Sequence, residues 1–361
     1  MTNAHTNPLI GLEGLPPFSK IKPEHVVPAL KKGIEHCRSA INDVLAKQSY
    51  TWEDLVLPLE EADDKLSRLF SPVSHLNSVM NNDELREAYE QCLPLISEYS
   101  TFVGQHQGLY EAYNALYNSD EFKTLTTAQQ KTITNALRDF KLSGIALNPE
   151  QQKRYGEISA RLSELASKFG NNVMDATLAW HKHITDESQL AGLPESALAL
   201  AADTAKSKDL EGWVFTLDFP SYLPIMTYAD DRELRKETYT AFSTRASDQG
   251  PNAGEFDNSA IMSEELALRH ELAQLLGFNN YAEKSLATKM AESPAQVFSF
   301  LEDLAAKSKP QAEQELKELQ QYAEQQHGIS ELQAWDFGYY SEKLKQEKYA
   351  ISDEVLRPYF P

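Results

Sequence analysis

The sequence predicts a mainly α-helical protein with one small β element. Over most of the 361 residues, apolar side chains recur every three or four positions, the spacing of one buried helix face. The pattern stops between about residues 180 and 220. There, two short segments, 180–185 and 213–218, alternate in polarity or are rich in β-favouring residues. We therefore expect helices on both sides of a short hairpin or two-stranded sheet.

The helices of the first half can be placed from their apolar stripes and their ends. Pro23 suits the first turn of a helix, and Thr51 to Asp54 has the pattern of a capping box. A long third helix is predicted over residues 85–117, and a fourth closes near Gly144. Asn148, followed by proline, caps the next helix.

The predicted third helix carries an unusual row of tyrosines. Such a row can line a ligand site, but packing in the core with hydroxyls at the boundary is the favoured interpretation. Cys37 and Cys92 lie on the apolar stripes of their helices and are expected to be buried, reduced thiols. The tyrosines of the row are Tyr89, Tyr99, Tyr110, Tyr113 and Tyr117.

Between the two β segments, a short alanine-rich helix is predicted to start at Leu193-Pro194-Glu195 and to end near Lys206. Residues 245–259 contain Gly250-Pro251 and are expected to form a mobile surface loop. The domain boundary is placed at about residue 205, which gives an N-terminal helical region, 1–205, and a second region, 206–361. Helices are predicted to resume after Phe219-Pro220 and to run through Asp231 to Thr244, with further helices at about 260–276, 294–327 and 335–347.

The composition excludes some partners. The formal net charge is −20, so the backbone of nucleic acids and anionic membrane surfaces should both repel the chain. Residues 1–5 have neither the basic segment nor the apolar run of a signal peptide. The longest small-apolar run, residues 197–202, is much shorter than the about 20 residues that span a bilayer. We expect a cytoplasmic protein that binds neither nucleic acid nor membrane.

The nearest approach to a catalytic motif is residues 270–274, His-Glu-Leu-Ala-Gln. A zinc peptidase helix needs His-Glu-x-x-His, since two imidazoles at i and i+4 share one helix face. Gln274 stands where the second imidazole is required, and its amide is a poor zinc ligand. His270 is placed nearly opposite the leucines of this helix. It is therefore interpreted as a surface histidine.

For the other candidate clusters, too, a structural role is favoured over a functional one. His181 and His183 could share one strand face as half of a metal site, but no third ligand can be identified. The acidic residues 60–64 lack the glycine turn of a calcium loop, which favours a solvated helix face. The chain contains no GxSxG elbow and no phosphate-binding GxxxxGK[ST].

A series of segments in the second half resembles a known family. The series is the continuous stretch from Gly212 to Ala229, then Asp231 to Arg235, Thr244 to Ser247, Leu266 to Ala273, Leu276 to Phe278, Tyr281 to Ala291, Trp335-Asp336 and Tyr339-Tyr340. In this order the segments resemble the thimet oligopeptidase family of zinc metallopeptidases. The opening, with Leu15-Pro16-Pro17-Phe18, is similar too, so the likeness extends over nearly the whole chain.

The resemblance implies a largely helical fold of two regions that face each other across a peptide channel. It also implies cleavage of short peptides by a zinc-bound water, with a glutamate of an HExxH helix as general base and a later glutamate as third protein ligand. Those positions correspond to sequence beyond Pro361. We therefore expect the N-terminal half of such an enzyme, inactive alone and without zinc, with the C-terminal half as its partner. No catalytic or metal-binding residue is assigned within the chain, and its substrate-binding residues are unassigned. The alternative is a non-catalytic helical peptide-binding or scaffold protein.

Overall fold

The computed structural model describes residues 7–351 and 356–360. Residues 1–5, considered above for a signal peptide, and Pro361 lie outside this described part. The fold is mainly α-helical with one two-stranded sheet, as predicted. The chain divides into two compact units: unit 1 contains 1–167 and 265–285, and unit 2 contains 168–264 and 286–361. The domain boundary predicted near residue 205 falls within a helix of unit 2, Glu195–Ser207. The division into domains at that residue remains a prediction.

The helices of the first part of the chain follow one another with short connections. Their bounds are α1 (Pro23–Lys47), α2 (Leu57–Val79), α3 (Asp83–Gly104), α4 (Gln107–Tyr117), α5 (Asp120–Thr124), α6 (Thr127–Leu142) and α7 (Pro149–Ala179). Pro23 occupies the first turn of α1, where its missing N–H costs nothing. Thr51 Oγ1 accepts a hydrogen bond from the N–H of Asp54 at 3.0 Å, which confirms the N-cap half of the predicted capping box. A π-helical turn, Trp52–Val56, separates this cap from α2.

Helix α1 is the centre of unit 1 and packs against α2, α3 and α4. Its predicted stripe is Val26, Leu30, Ile34, Cys37, Ile41 and Leu45. The first five are buried, as the periodicity predicted, and Leu45 is half-buried. Complete burial of a side chain such as Leu30 stabilises the fold by about 1.5–3 kcal/mol. Both cysteines are free and buried, which confirms that prediction. Burial raises the pKa of the Cys92 thiol to about 11, which keeps it protonated at neutral pH.

The prediction of one long helix over residues 85–117 is wrong, because the chain breaks between α3 and α4. Gln105 leaves helical geometry, and its side-chain amide donates to the carbonyls of Ser143 and Gln152 at 3.1 and 3.3 Å. The ring of His106 then accepts from the N–H of Leu109 at 3.2 Å and caps α4. The bond from Leu109 to the His106 ring replaces the backbone bond that Leu109 would have made in a continuous helix, whereas the Gln105 amide ties the break to residues 143 and 152.

Unit 2 contains the β element. Strand β1 (His181–Ile184) pairs antiparallel with β2 (Trp213–Thr216), with Ile184 opposite Trp213, so the predicted pairing is confirmed. Gly212 lies just before β2 at φ +90°, and a Cβ there would lie 2.5 Å from the carbonyl oxygen of Ile184. Glycine is therefore required where the two strands approach. Val214 and Phe215 of β2 are buried.

The remaining helices are α8 (Glu195–Ser207), α9 (Phe219–Tyr228), α10 (Arg232–Ser243), α11 (Ser259–Leu275), α12 (Tyr281–Leu286), α13 (Pro294–His327) and α14 (Phe337–Tyr349). In unit 2, α8 covers β2, and α9 packs against α8, α10 and α14. Helix α14 also packs against α13 through Tyr339 and Tyr340, which join Leu319 and Ala323 in one apolar cluster. Within the described residues, no helix has the length and apolarity needed to cross a membrane.

Candidate functional site

The near-motif at residues 270–274 lies in the last turns of α11. Leu272 and Ala273 are buried, whereas His270 and Gln274 are exposed on the other side of the helix. The interpretation of His270 as a surface histidine is therefore confirmed. The face that a zinc helix would turn toward its metal here points to solvent.

Glu271 of the near-motif is committed to a structural ion pair. Its two carboxylate oxygens accept hydrogen bonds from Nε and Nη2 of Arg154 on α7, at 2.6 and 2.8 Å, in a bidentate ion pair. The hydrogen bonds from Arg154 hold the pKa of Glu271 below its ordinary value. A general base that activates water needs a free carboxylate with a pKa nearer neutrality, and Glu271 has the opposite environment.

Gln274 closes the end of α11. Its amide nitrogen donates to the carbonyls of Phe278 and Asn279 at 3.2 and 2.8 Å, which satisfies carbonyls just beyond the helix. Residues 270–274 therefore offer the exposed imidazole of His270, the carboxylate of Glu271, which is paired with Arg154, and the amide of Gln274, which is bonded to loop carbonyls. This donor set does not fit the zinc ion that the family resemblance implies.

The other predicted clusters also have structural partners. His181 and His183 lie on one exposed face of β1, as the period of two predicted, and His183 Nε2 lies 2.6 Å from the carbonyl oxygen of Glu211. Lys182, which points the other way, pairs with Glu237 at 2.6 Å. Across the described residues, no group of three or more His, Cys, Asp or Glu side chains is arranged to hold a metal ion.

The acidic residues of α2 differ in their partners. Glu60, Glu61, Asp63 and Asp64 are all exposed, which agrees with a solvated helix face. Asp63 alone of the four also accepts a hydrogen bond from the buried Tyr99 hydroxyl, at 3.3 Å. Partial loss of hydration at its carboxylate raises the pKa of Asp63. The charge pattern alone did not separate Asp63 from its neighbours.

A buried ionic cluster in unit 2 was missed by the sequence analysis. Asp336 is fully buried and accepts from Arg232 Nη2 at 2.6 Å and from Arg235 Nη2 at 3.0 Å. Arg235 is itself 1% exposed, and its guanidinium lies 4.0 Å from the centroid of the Tyr339 ring. The Tyr339 hydroxyl donates to Asp230 at 2.7 Å, which completes the cluster.

This cluster explains part of the family resemblance. Asp231 to Arg235, Trp335-Asp336 and Tyr339-Tyr340 were separate segments of the resembling series, and the structure joins them through contacts across about a hundred residues of sequence. The sequence signal for this cluster was the pair Arg232 and Arg235 in one segment and Asp336, among aromatic residues, in another. Periodicity cannot place such distant partners together.

Comparison with known proteins gives the class to which these observations point. The Neurolysin/Thimet oligopeptidase N-terminal domain model matches residues 30–152, and the Peptidase family M3 model matches residues 225–361. A putative oligoendopeptidase F from Bacillus anthracis is 16% identical, with a TM-score of 0.51, over 86% of this chain and 48% of that one. This structural likeness shows the fold alone. The two matched segments are thus similar to the M3 peptidases and to the N-terminal domain of the thimet oligopeptidases, as the sequence segments predicted.

The particular likeness is to oligopeptidase A. The proteins of that name from Salmonella typhimurium and Escherichia coli are each 63% identical over 357 residues, which is 99% of this chain and 52% of each relative. The resemblance inferred from the sequence is confirmed. The chain spans about half the length of the curated relatives it matches.

Proposed function

We propose that these residues form the N-terminal portion of a zinc oligopeptidase that hydrolyses short peptides. The observation that supports the proposal is 63% identity to oligopeptidase A over 99% of this chain. At that identity, a packed core and its buried ionic cluster are expected to be shared with the relative. In this proposal, helices of this chain supply part of the wall that holds the peptide.

The chemical step belongs to other residues of the enzyme. The 361 residues contain no His-Glu-x-x-His sequence, and His270, Glu271 and Gln274 do not fit a zinc ion. We propose that zinc and its ligands are supplied by the C-terminal half of the family enzymes. Residues 1–361 alone are then inactive and bind no stoichiometric zinc.

The test is to join this chain to the C-terminal half of Escherichia coli oligopeptidase A, either as a fusion or by co-expression. Zinc content and cleavage of a quenched-fluorescent peptide are measured for each half alone and for the joined protein. We expect one zinc per joined molecule and chelator-sensitive cleavage only when both halves are present. One tightly held zinc with chelator-sensitive turnover by residues 1–361 alone would overturn the proposal.

The same experiment addresses the alternative of a non-catalytic binding protein. That alternative predicts peptide binding by residues 1–361 and a joined protein that takes up zinc without turnover. A cytosolic location is part of our proposal and is supported by the net charge of −20, which disfavours anionic membrane surfaces. Fractionation of cells that carry the native protein checks it, since membrane-bound activity would contradict it.

A further inference from the structure

Unit 1 contains a cavity of about 510 Å³ between its helices. Helix α1 forms one side through Cys37 and Ile41, and the other walls come from α2, α3, α4 and α6. Pockets of about 300–1,000 Å³ are the usual size for small organic ligands. The cavity can therefore accept a molecule of the size of a large amino-acid side chain or a small amine.

The walls of the cavity are largely apolar. Leu66 of α2, Ile96 and Val103 of α3, and Phe140 of α6 contribute hydrocarbon and aromatic surface. Burial of apolar ligand atoms against such walls contributes about 25 cal/mol per Å². The ligand should therefore carry an apolar body.

One polar group in the cavity wall is available to a ligand. Tyr113 lines the cavity and is 7% exposed, yet its hydroxyl has no hydrogen-bond partner among the described residues. The ring of Tyr113 is buried, but its hydroxyl is not among the fully buried, unpartnered polar atoms of the described residues, so a ligand in the cavity can reach it and supply the hydrogen bond that the protein does not. Burial and the nearby charges of Glu60 and Asp63 raise the pKa of Tyr113. The hydroxyl therefore stays protonated and can donate or accept.

The charged side chains that line the cavity are all acidic. Glu60, Asp63 and Asp139 contribute carboxylates, and in the described part of the chain no lysine or arginine is among the residues that line it. Asp139 is neutralised by Arg138 at 2.8 Å, but Glu60 and Asp63 have no ion-pair partner among the described residues. Two uncompensated carboxylates beside an apolar space attract a cation.

We propose that this cavity binds a small organic cation, an ammonium or guanidinium group on an apolar stem. The apolar stem lies against Leu66, Ile96 and Val103, and the cation faces Asp63 with Tyr113 within reach. A metal ion is not the expected ligand, because no three His, Cys, Asp or Glu side chains of the described residues, those of the cavity included, are arranged to hold one. The cation can come from a free amine or from a basic residue or amino terminus of a peptide. The proposal does not depend on the peptidase function.

The test uses residues 1–361 and three probes of similar size: phenethylammonium, neutral 2-phenylethanol and anionic 3-phenylpropionate. Binding is measured by calorimetry. We expect phenethylammonium to bind with one-to-one stoichiometry and at least about tenfold more tightly than the alcohol, from the loss of one charge-assisted contact. A dipeptide amide with one lysine distinguishes the two sources, since equal or tighter binding of the peptide indicates a peptide ligand and weaker binding a free amine.

Variants locate the site. Asp63→Asn should weaken phenethylammonium at least about fivefold, as expected when one charged hydrogen bond becomes neutral. Asp64→Asn is the matched control, because Asp64 lies on the same helix but is not among the residues that line the cavity, and it should leave binding unchanged. Ser100→Phe fills the cavity from its exposed rim and should abolish binding without loss of the thermal midpoint. Equal binding of the cation and the alcohol, or an Asp63→Asn protein that binds normally, would overturn the proposal.

Discussion

The guanidinium of Arg235 and the carboxylate of Asp336 meet at 3.0 Å inside unit 2, where both side chains are almost completely buried. Arg232 approaches the same carboxylate from a more exposed position. A buried charge is tolerated only when its partners replace the lost water, and here every carboxylate oxygen has a donor. The cluster joins the loop before α14 to α10. It therefore fixes two segments that are distant in sequence.

Asp336→Asn should destabilise the protein by about 3–5 kcal/mol, because Arg235 would remain as a buried charge without its counter-ion. Equilibrium unfolding in urea measures the change. Asp303→Asn on α13 is the control, since Asp303 pairs with Lys307 at 2.7 Å on an exposed surface. Its cost should be below about 1 kcal/mol. Equal midpoints for the two variants would contradict the role given to Asp336.

The same carboxylate should make stability depend on acid pH. Burial alone would raise the pKa of Asp336, but hydrogen bonds from Arg232, the Gln333 backbone and Arg235 lower it below its ordinary 3.8. Its contribution is complete above the unfolded pKa and is lost as pH falls through the lower folded pKa. Between about pH 5 and pH 2, the free energy of unfolding measured in urea should decrease as pH falls, and the decrease should be less steep for Asp336→Asn. Asp303→Asn should keep the steeper decline of the parent protein.

Glu271→Gln tests whether the near-motif has a catalytic role. In the protein joined to a C-terminal half, peptide cleavage should be unchanged, because Glu271 is bonded to Arg154 and does not act on water. The thermal midpoint should fall slightly, as one side of the ion pair loses its charge. A large fall in kcat with an unchanged midpoint would show instead that Glu271 takes part in chemistry.

Gln274→His restores the sequence His-Glu-x-x-His in α11 and should still produce no zinc-dependent cleavage by residues 1–361. The second imidazole would be present, but Glu271 would remain tied to Arg154 and a third ligand would be absent from this face of the described structure. Loss of the two bonds to the carbonyls of Phe278 and Asn279 should cost about 0.5–1.5 kcal/mol. Gln274→Ala separates that cost from any metal effect. Chelator-sensitive turnover by the histidine variant would refute this interpretation.

The helical fold was predictable because most of its energy comes from regular burial. The stripe of α1, the cap at Thr51 and the pairing of β1 with β2 each follow from a local pattern that repeats every few residues. The break at Gln105 was not predictable in this way. The apolar period continues through it, and the side-chain contacts that end α3 come from residues 143 and 152.

The candidate sites were less predictable for the same reason. The sequence correctly placed His270 on the surface, since that depends only on the helix period. It did not connect Arg235 with Asp336, or Tyr99 with Asp63, because each contact joins helices that are far apart in the chain. The tyrosine row illustrates the limit. Tyr99 and Tyr113 are buried as predicted, yet both also line a cavity.

The first half of α13 should make residues 1–361 self-associate. Phe298, Leu301 and Leu304 lie on one side of this helix and are 63%, 50% and 52% exposed. A contiguous apolar surface of this kind favours association, since its contact with water is unfavourable. Sedimentation velocity over a range of concentrations should show oligomers. In the protein joined to a C-terminal half, we expect association to decrease if that half covers the helix.

A pair of lysine variants identifies the surface. Leu301→Lys with Leu304→Lys should give a monomer, because two charges interrupt the apolar side of α13. Charge alone could reduce association in an acidic chain, so the control places lysines at Ser299 and Ala306, which are exposed on the opposite side of the same helix. This control adds the same charge and should still associate. If both double variants become monomeric, the driving force is electrostatic rather than apolar. If neither does, the contact lies elsewhere on the molecule and α13 is stable in water without a partner.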